Sequence, residues 1–289
     1  MDNSLATWLR LREPADVAAR SASLALVVAA AMPQQGPVCV LDLATGRGSN
    51  IRYLAERLHG AQHWLAGDIS AALLSDLHEG MSSWGAARGY DVRANGDGRI
   101  VRGEHMECHV ETRQIDLRAL DDRAIFGGRH LVTASALLDL VSESWLRALA
   151  AHCAAEGAAA LFALTYNGRS SCVPAEPEDD MVRELLNRHQ KRDKGLGGPA
   201  AGPDSVACAE RCFAEAGYRV LREASDWALG PADAAMQRLL VEGWAQAGIE
   251  AAPEHTRTIA SWCTRRLAHI DAGRSRMKVG HDDLAALPR

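Results

Sequence analysis

Residues 38–50 read Val38-Cys39-Val40-Leu41-Asp42-Leu43-Ala44-Thr45-Gly46-Arg47-Gly48-Ser49-Asn50. The apolar run from Val38 to Leu43 suits a buried strand, and Gly46 and Gly48 permit the backbone angles of a tight turn. Ile51, Leu54, Ala55 and Leu58 then recur at helical spacing. A strand–glycine turn–helix unit bares backbone N–H groups at a helix N-terminus and lets a ligand approach the chain closely. Asp68 follows Gly48 by 20 residues, at the end of a second strand-like run from His63 to Ala66. In a Rossmann-like unit a carboxylate there takes a pair of ribose hydroxyls, so the segment points to an adenosine-type cofactor.

A dinucleotide fingerprint needs a third glycine for close helix–strand packing, and Ile51 stands at that place. Nicotinamide and flavin dinucleotides are therefore disfavoured. Asp42 lies four residues before Gly46, and the turn ends Gly48-Ser49-Asn50. This resembles motif I of the class I (Rossmann-like) S-adenosylmethionine (SAM)-dependent methyltransferases, acidic-x-x-x-Gly-x-Gly, with Asn50 replacing that family's common third glycine. Asp68-Ile69 resembles the family's ribose-binding motif, and Gln114-Ile115-Asp116-Leu117 the motif that contacts adenine. The run from His130 to Val141 resembles the fourth strand and its following loop. The resemblance covers residues 38–166 well and the later part in outline. It implies an α/β fold, a doubly wound, seven-stranded, mostly parallel sheet with an antiparallel edge strand. It also implies one domain over 1–289: an N-terminal helical cap (1–36), a cofactor-binding core (37–166) and a substrate-side half (167–289).

Composition narrows the partners. The chain has 289 residues and a formal net charge of −5, with acids and bases interspersed and no long basic stripe, which disfavours nucleic acid. No apolar stretch reaches the roughly 18 residues of a membrane span, and Leu24 to Met32 suits a helix better than a signal peptide. Seven cysteines without a Cys-x-x-Cys pair suggest free thiols in a reducing, cytoplasmic setting. Cys208 and Cys212 share a helix face, where core packing is favoured over metal binding.

The pattern along the chain alternates strands and helices, as a parallel sheet covered on both faces does. Residues 4–32 read as one or two helices, with Asp16 a possible helix cap. Strands are expected near 38–43, 62–67, 109–115, 130–136 and 159–165, and helices near 49–59, 70–84 and 142–155. The Gly- and Asn-rich stretch 85–103 reads as a loop with room for a short hairpin. A helix is expected near 178–193. The glycine-rich stretch 194–203 reads as the most flexible in the chain, and Ser205 as the cap of a helix ending at Gly217. Tyr218 to Glu223 and Arg276 to Leu287 suit strands, the last two of the sheet. Between them two amphipathic helices form an insertion over 230–273. One carries Met236, Leu239, Leu240, Trp244 and Ala247, the other Ile259, Trp262, Cys263, Leu267 and Ile270. Their apolar stripes suit a core or a homodimer.

Ligands of such sheets lie beyond the carboxyl ends of the strands, which gathers Ala44 to Asn50, Asp68-Ile69, Asp116-Leu117 and Ala134 to Asp139 around one crevice. The resemblance implies cofactor contacts from Asp42, Ala44, Thr45, Gly46, Gly48, Asn50 and Ser135. It also implies that Asp68 and Ile69 face the ribose and that Asp116 and Leu117 face the adenine. The plain readings are turn glycines, a turn-capping Asp42 and a helix-capping Asp68. Arg20, ahead of the first strand, could pair with the cofactor carboxylate or lie in solvent. Asp139 is a candidate general base or binder of a cationic substrate, or a helix cap. His189 is a core histidine or part of a lid over the substrate, hinged at residues 195–202. Tyr166 is a third candidate for the substrate pocket.

The loop Ser135-Ala-Leu-Leu-Asp139 lacks the Asn/Asp-Pro-Pro-aromatic signature of nucleobase and glutamine methylation, and no acidic pair of the catechol type is present to hold a metal. A small-molecule methyl acceptor is the class that remains. Two alternatives stay open: a nicotinamide-dependent oxidoreductase, and a non-catalytic methyltransferase-like binding module.

Overall fold

The computed structural model describes residues 2–96, 98–118, 120 and 122–289, with side chains from residue 5 onward. Two helices come first, α1 (Asp2–Ala19) and α2 (Ala22–Ala30). Ser21 caps α2 by accepting from the Leu24 N–H. Asp16 caps nothing: it lies inside α1. The first half of the sheet then runs β1 (Val38–Leu43), α3 (Ser49–Ala55), β2 (Gly60–Asp68), α4 (Ala71–Ala87), β3 (Asp91–Asn95), β4 (Gly98–Arg102), β5 (Met106–Gln114), β6 (Leu131–Ser135) and α5 (Glu143–Glu156). The second half runs β7 (Ala159–Val173), α6 (Asp179–Gln190), α7 (Ser205–Glu215), β8 (Tyr218–Ala224), β9 (Trp227–Leu229), α8 (Ala234–Ala251), α9 (Thr256–Asp271) and β10 (Arg276–Pro288).

The sheet has ten strands, ordered β3-β4-β5-β2-β1-β6-β7-β10-β8, with β9 paired to β10. The seven strands expected run consecutively from β5 to β8, the strand at one edge. The pairs β5–β2, β2–β1, β1–β6 and β6–β7 are parallel. The last two strands of the chain form an antiparallel pair at that edge, with β10 between β7 and β8 and β8 outermost. The other additions are the β3–β4 hairpin on β5 and the short β9. Residue 97 lies outside the described residues.

Apolar side chains from both sheet faces form two core clusters, one under α5 and α7 and one under α2, α3 and α4. A third cluster joins the far ends of β7 and β10 to α6, α8 and α9. It takes up most of the two late stripes: Met236, Trp244, Ala247, Ile259, Trp262 and Ile270 are buried there, and Leu239 stays exposed. Cys208 and Cys212 are buried in the first cluster, and all seven cysteines are free thiols.

The glycine-rich stretch after α6 is tied down rather than loose. The Ser142 N–H donates to Leu196 O, the Ala201 N–H to Val141 O, and Asp193 pairs with Pro199. Ser205 does not cap α7; Asp204 holds the cap position and the Ser205 hydroxyl is buried without a partner. Among the described residues no helix is long and apolar enough to cross a membrane, and no cluster of His, Cys, Asp or Glu could hold a metal ion.

Candidate functional site

The strand order reverses between β1 and β6, with β2 on one side of β1 and β6 on the other. A crevice opens beyond the carboxyl ends of strands at such a switch point. The turn there is left-handed at Ala44, Gly46 and Gly48, with φ of 51°, 55° and 78°. A Cβ on Gly48 would meet Leu77 Cγ at 2.9 Å, and one on Gly46 would meet Leu9 Cδ1 of α1 at 3.2 Å. Close approach therefore requires glycine at 48, while position 46 faces only the tip of a flexible side chain.

Two carboxylates shape this turn. Asp42 is fully buried and accepts from Thr45 Oγ1 and Asn50 Nδ2, each at 2.5 Å. Burial pushes its pKa up to about 6, against the pull of those two hydrogen bonds. Asp68 takes the Gly46 N–H on one oxygen (2.8 Å) and the Ser70 N–H on the other (2.9 Å). It thereby joins the turn to the start of α4.

Asn50, in the place of the third glycine, is a relay. Its amide donates to Asp42 and Thr133, and its oxygen accepts from Arg20. Arg20 is buried, with its guanidinium 4.1 Å from the Tyr53 ring centre, and it does not reach the cavity above the turn. The arginine that does is Arg12, which sequence reasoning passed over. It projects from α1 together with Leu9 and Asp16, opposite Ala44 to Arg47, Ser49, Asn50 and Ser135. The space left is about 40 Å³, room for a water or two.

Two contacts clamp α1 there. Arg52 of α3 grips Glu13 through both Nε and Nη2, and Trp227 of β9 donates to Asp16 at 2.9 Å. The outer part of the crevice is more open. Ile69, beside Asp68, is 57% exposed. Leu117 is buried and its carbonyl accepts from Trp145. Asp116 turns outward and is held by Arg118, which lowers its pKa through that hydrogen bond.

A second cavity of about 400 Å³ adjoins the first, and Arg12 lines both. It brings together all three candidates for the substrate pocket: Asp139, Tyr166 and His189. Its walls also include Trp8, Trp227, Trp244 and His281. Arg12 is spoken for, being paired to Asp16 at 2.8 Å and lying 5.0 Å from the Trp227 ring centre. His189 lies 3.0 Å from Glu250 of α8. Tyr166 donates to Asn187, and burial raises its pKa.

His281 is the other residue that sequence reasoning missed. Its Nδ1 lies 3.0 Å from the Val279 carbonyl, which can only accept, so Nδ1 carries the hydrogen and Nε2 is left as an acceptor. Burial first, then the Arg12 charge, pushes its pKa down to about 4. Asp139 lies in a short turn after β6 and is 6% exposed, so the helix-cap role falls instead to Ser142. Burial pushes the Asp139 pKa up to about 6; backbone N–H groups of Asp139 and Tyr166 and the distant charges of Arg12 and Lys194 pull it back in part.

No family model matches the chain. No curated protein matches it either. Solved structures do match, each at a TM-score below 0.5. One is the YcgJ protein of Bacillus subtilis: 14% identity, TM-score 0.47, covering 92% of this chain and 98% of that one. Another is a SAM-dependent methyltransferase from Geobacter sulfurreducens in complex with S-adenosyl-L-homocysteine: 14% identity, TM-score 0.43, covering 93% and 92%. A third, from Thiobacillus denitrificans and in complex with the same molecule, is 13% identical with a TM-score of 0.42, covering 93% and 92%.

Proposed function

We propose that the chain is a SAM-dependent methyltransferase that passes a methyl group to a small molecule held in the larger cavity. The observation that carries this reading is that the two cavities meet at Arg12: one lies over the glycine turn, the other beside Asp139, Tyr166 and His189. In-line transfer needs donor and acceptor side by side, and a shared wall at Arg12 supports that reading.

The residues present suit the cofactor's chemistry. Asp68 keeps free lone pairs for ribose hydroxyls, and exposed Ile69 offers an apolar face to adenine. The amino acid end would meet Ser135 and, on the facing helix α1, the Arg12 guanidinium. When bound, SAM supplies an activated methyl group on a sulfonium that leaves as a neutral thioether. Asp42 and Asn50 act through the shape of the turn, and Arg20 through its hold on Asn50.

Calorimetric titration with SAM, S-adenosylhomocysteine and NADH tests the reading, alongside Gly46→Ala. That substitution adds one carbon at a left-handed position facing only Leu9, so the fold should survive. Binding of the first two ligands, weakened in the variant and absent for NADH, is expected. Binding of NADH alone would overturn the reading in favour of an oxidoreductase, and binding of none would favour a non-catalytic module or a site that assembles only with substrate present.

A further inference from the structure

The charged groups around the larger cavity do not balance. Arg12 is neutralised by Asp16, and His189 lies against Glu250. His281 faces a carbonyl through its N–H. Asp139 has only backbone N–H groups as hydrogen-bond donors, and the cations near it act at a distance. A carboxylate 94% removed from solvent without a bound cation is costly to the fold, by several kcal/mol in the general case. A ligand that brings a positive charge relieves that cost.

The walls suit such a ligand. Trp8, Tyr166, Trp227 and Trp244 present aromatic rings to the same space. Two of them already take a cation: the Arg12 guanidinium lies 5.0 Å from the Trp227 ring centre and 6.0 Å from that of Trp8. A neutral acceptor would leave Asp139 unpaired, and an anionic one would meet its repulsion.

Building on the methyltransferase reading, we propose that the acceptor is an amine, bound as an ammonium with its nitrogen at Asp139 and its apolar body against the aromatic walls. For transfer, the ammonium gives one proton to the Asp139 carboxylate. The freed nitrogen lone pair forms the N–CH3 bond as the S–CH3 bond breaks, and the positive charge passes to the methylated product. Asp139 then releases its proton to solvent.

The test uses the whole chain and matched probes: 2-phenylethylamine, 2-phenylethanol and 3-phenylpropanoate, followed by tryptophan fluorescence and calorimetry at neutral pH. Hexylamine and hexanol serve as an aliphatic pair. A charge-assisted hydrogen bond predicts that each amine binds about 10- to 100-fold tighter than its alcohol. The carboxylate probe should bind weakest. Asp139→Asn should erase the amine preference, Asp139→Glu should keep part of it, and neither should change S-adenosylhomocysteine affinity. Equal binding of amine and alcohol, no binding of either amine, or an undiminished preference in Asp139→Asn would each overturn the proposal. S-adenosylhomocysteine binding without an amine preference would defeat this inference alone. An amine preference without S-adenosylhomocysteine binding would defeat the methyltransferase reading.

Discussion

Asp139→Asn should make the protein more stable at neutral pH while removing its grip on an amine. Burial pushes the Asp139 pKa from 3.8 up to about 6. A carboxyl with a raised folded-state pKa stabilises the fold fully below its unfolded value, and that contribution is lost as pH rises through the folded one. The shift is about two units at 1.36 kcal/mol each, so the ionised side chain costs the fold about 3 kcal/mol at pH ~7.5. At pH ~4 most of the folded carboxyl is protonated and the cost falls to about 0.5 kcal/mol. An amide of the same shape mimics the protonated acid at every pH. The stability gap between variant and wild type should therefore be about 2.5 kcal/mol larger at pH ~7.5 than at pH ~4. Any fixed cost of the amide enters both gaps equally and cancels. Asp42, also raised to about 6, and His281, lowered to about 4, titrate in the same window. Both are present in the two proteins, so they cancel as well. Urea unfolding at the two pH values, followed by circular dichroism, measures both gaps. A gap that does not change with pH, or that is larger in acid, would refute the account of Asp139 as a buried, unpaired carboxylate.

Restoring the resembled family's third glycine with Asn50→Gly should harm this chain. It strips partners from buried Asp42, Thr133 and Arg20, at about 1–3 kcal/mol for each group left unsatisfied, readable by denaturant unfolding. A neutral or stabilising outcome would mean that Asn50 is no relay. Glu13→Gln should loosen α1 by breaking its ion pair with Arg52 and so speed S-adenosylhomocysteine association in stopped-flow measurements, since the cavity over the turn is about 40 Å³ when α1 is down. An unchanged association rate would show that α1 does not limit entry. His189→Ala should weaken binding of amine probes and leave S-adenosylhomocysteine affinity unchanged, because His189 lines only the larger cavity. Equal losses for both ligands would contradict the separation of the two chambers.

How much of this was legible in the sequence depends on how local the deciding forces are. The β1–turn–α3 unit is fixed by neighbours in the chain: glycines at left-handed positions and an apolar run on either side. It could be read directly, and Asp139 follows a strand end that opens on the crevice. Tyr166 was placed just after a strand expected to stop at 165, but that strand runs on to Val173 and Tyr166 lies within it. The β3–β4 hairpin showed only as a loop with room for a short hairpin, since β3 is exposed along most of its length and has no in–out alternation. The stretch 194–203 looked loose from its glycines. What fixes it are backbone bonds to Val141 and Ser142, which no local pattern reveals.

Arg12 and His281 were missed for a related reason. Arg12 was one charge among several on an N-terminal helix, although Trp8 four residues earlier shares its face. What gives it a role is Trp227, which donates to Asp16 and stacks near Arg12 from the other end of the chain. His281 reads as one polar residue in a strand until β10 inserts between β7 and β8 and sets it between Tyr166 and Trp227. The cavity over the glycine turn is written mostly by one segment and its helix, with α1 and Ser135 completing it. The larger cavity is assembled from α1, the turn after β6, β7, α6, α8, β9 and β10, and its chemistry exists only after they meet. Among the described residues lining that cavity, Asp139 is the carboxylate without an ion pair, and a cationic acceptor would meet its charge there.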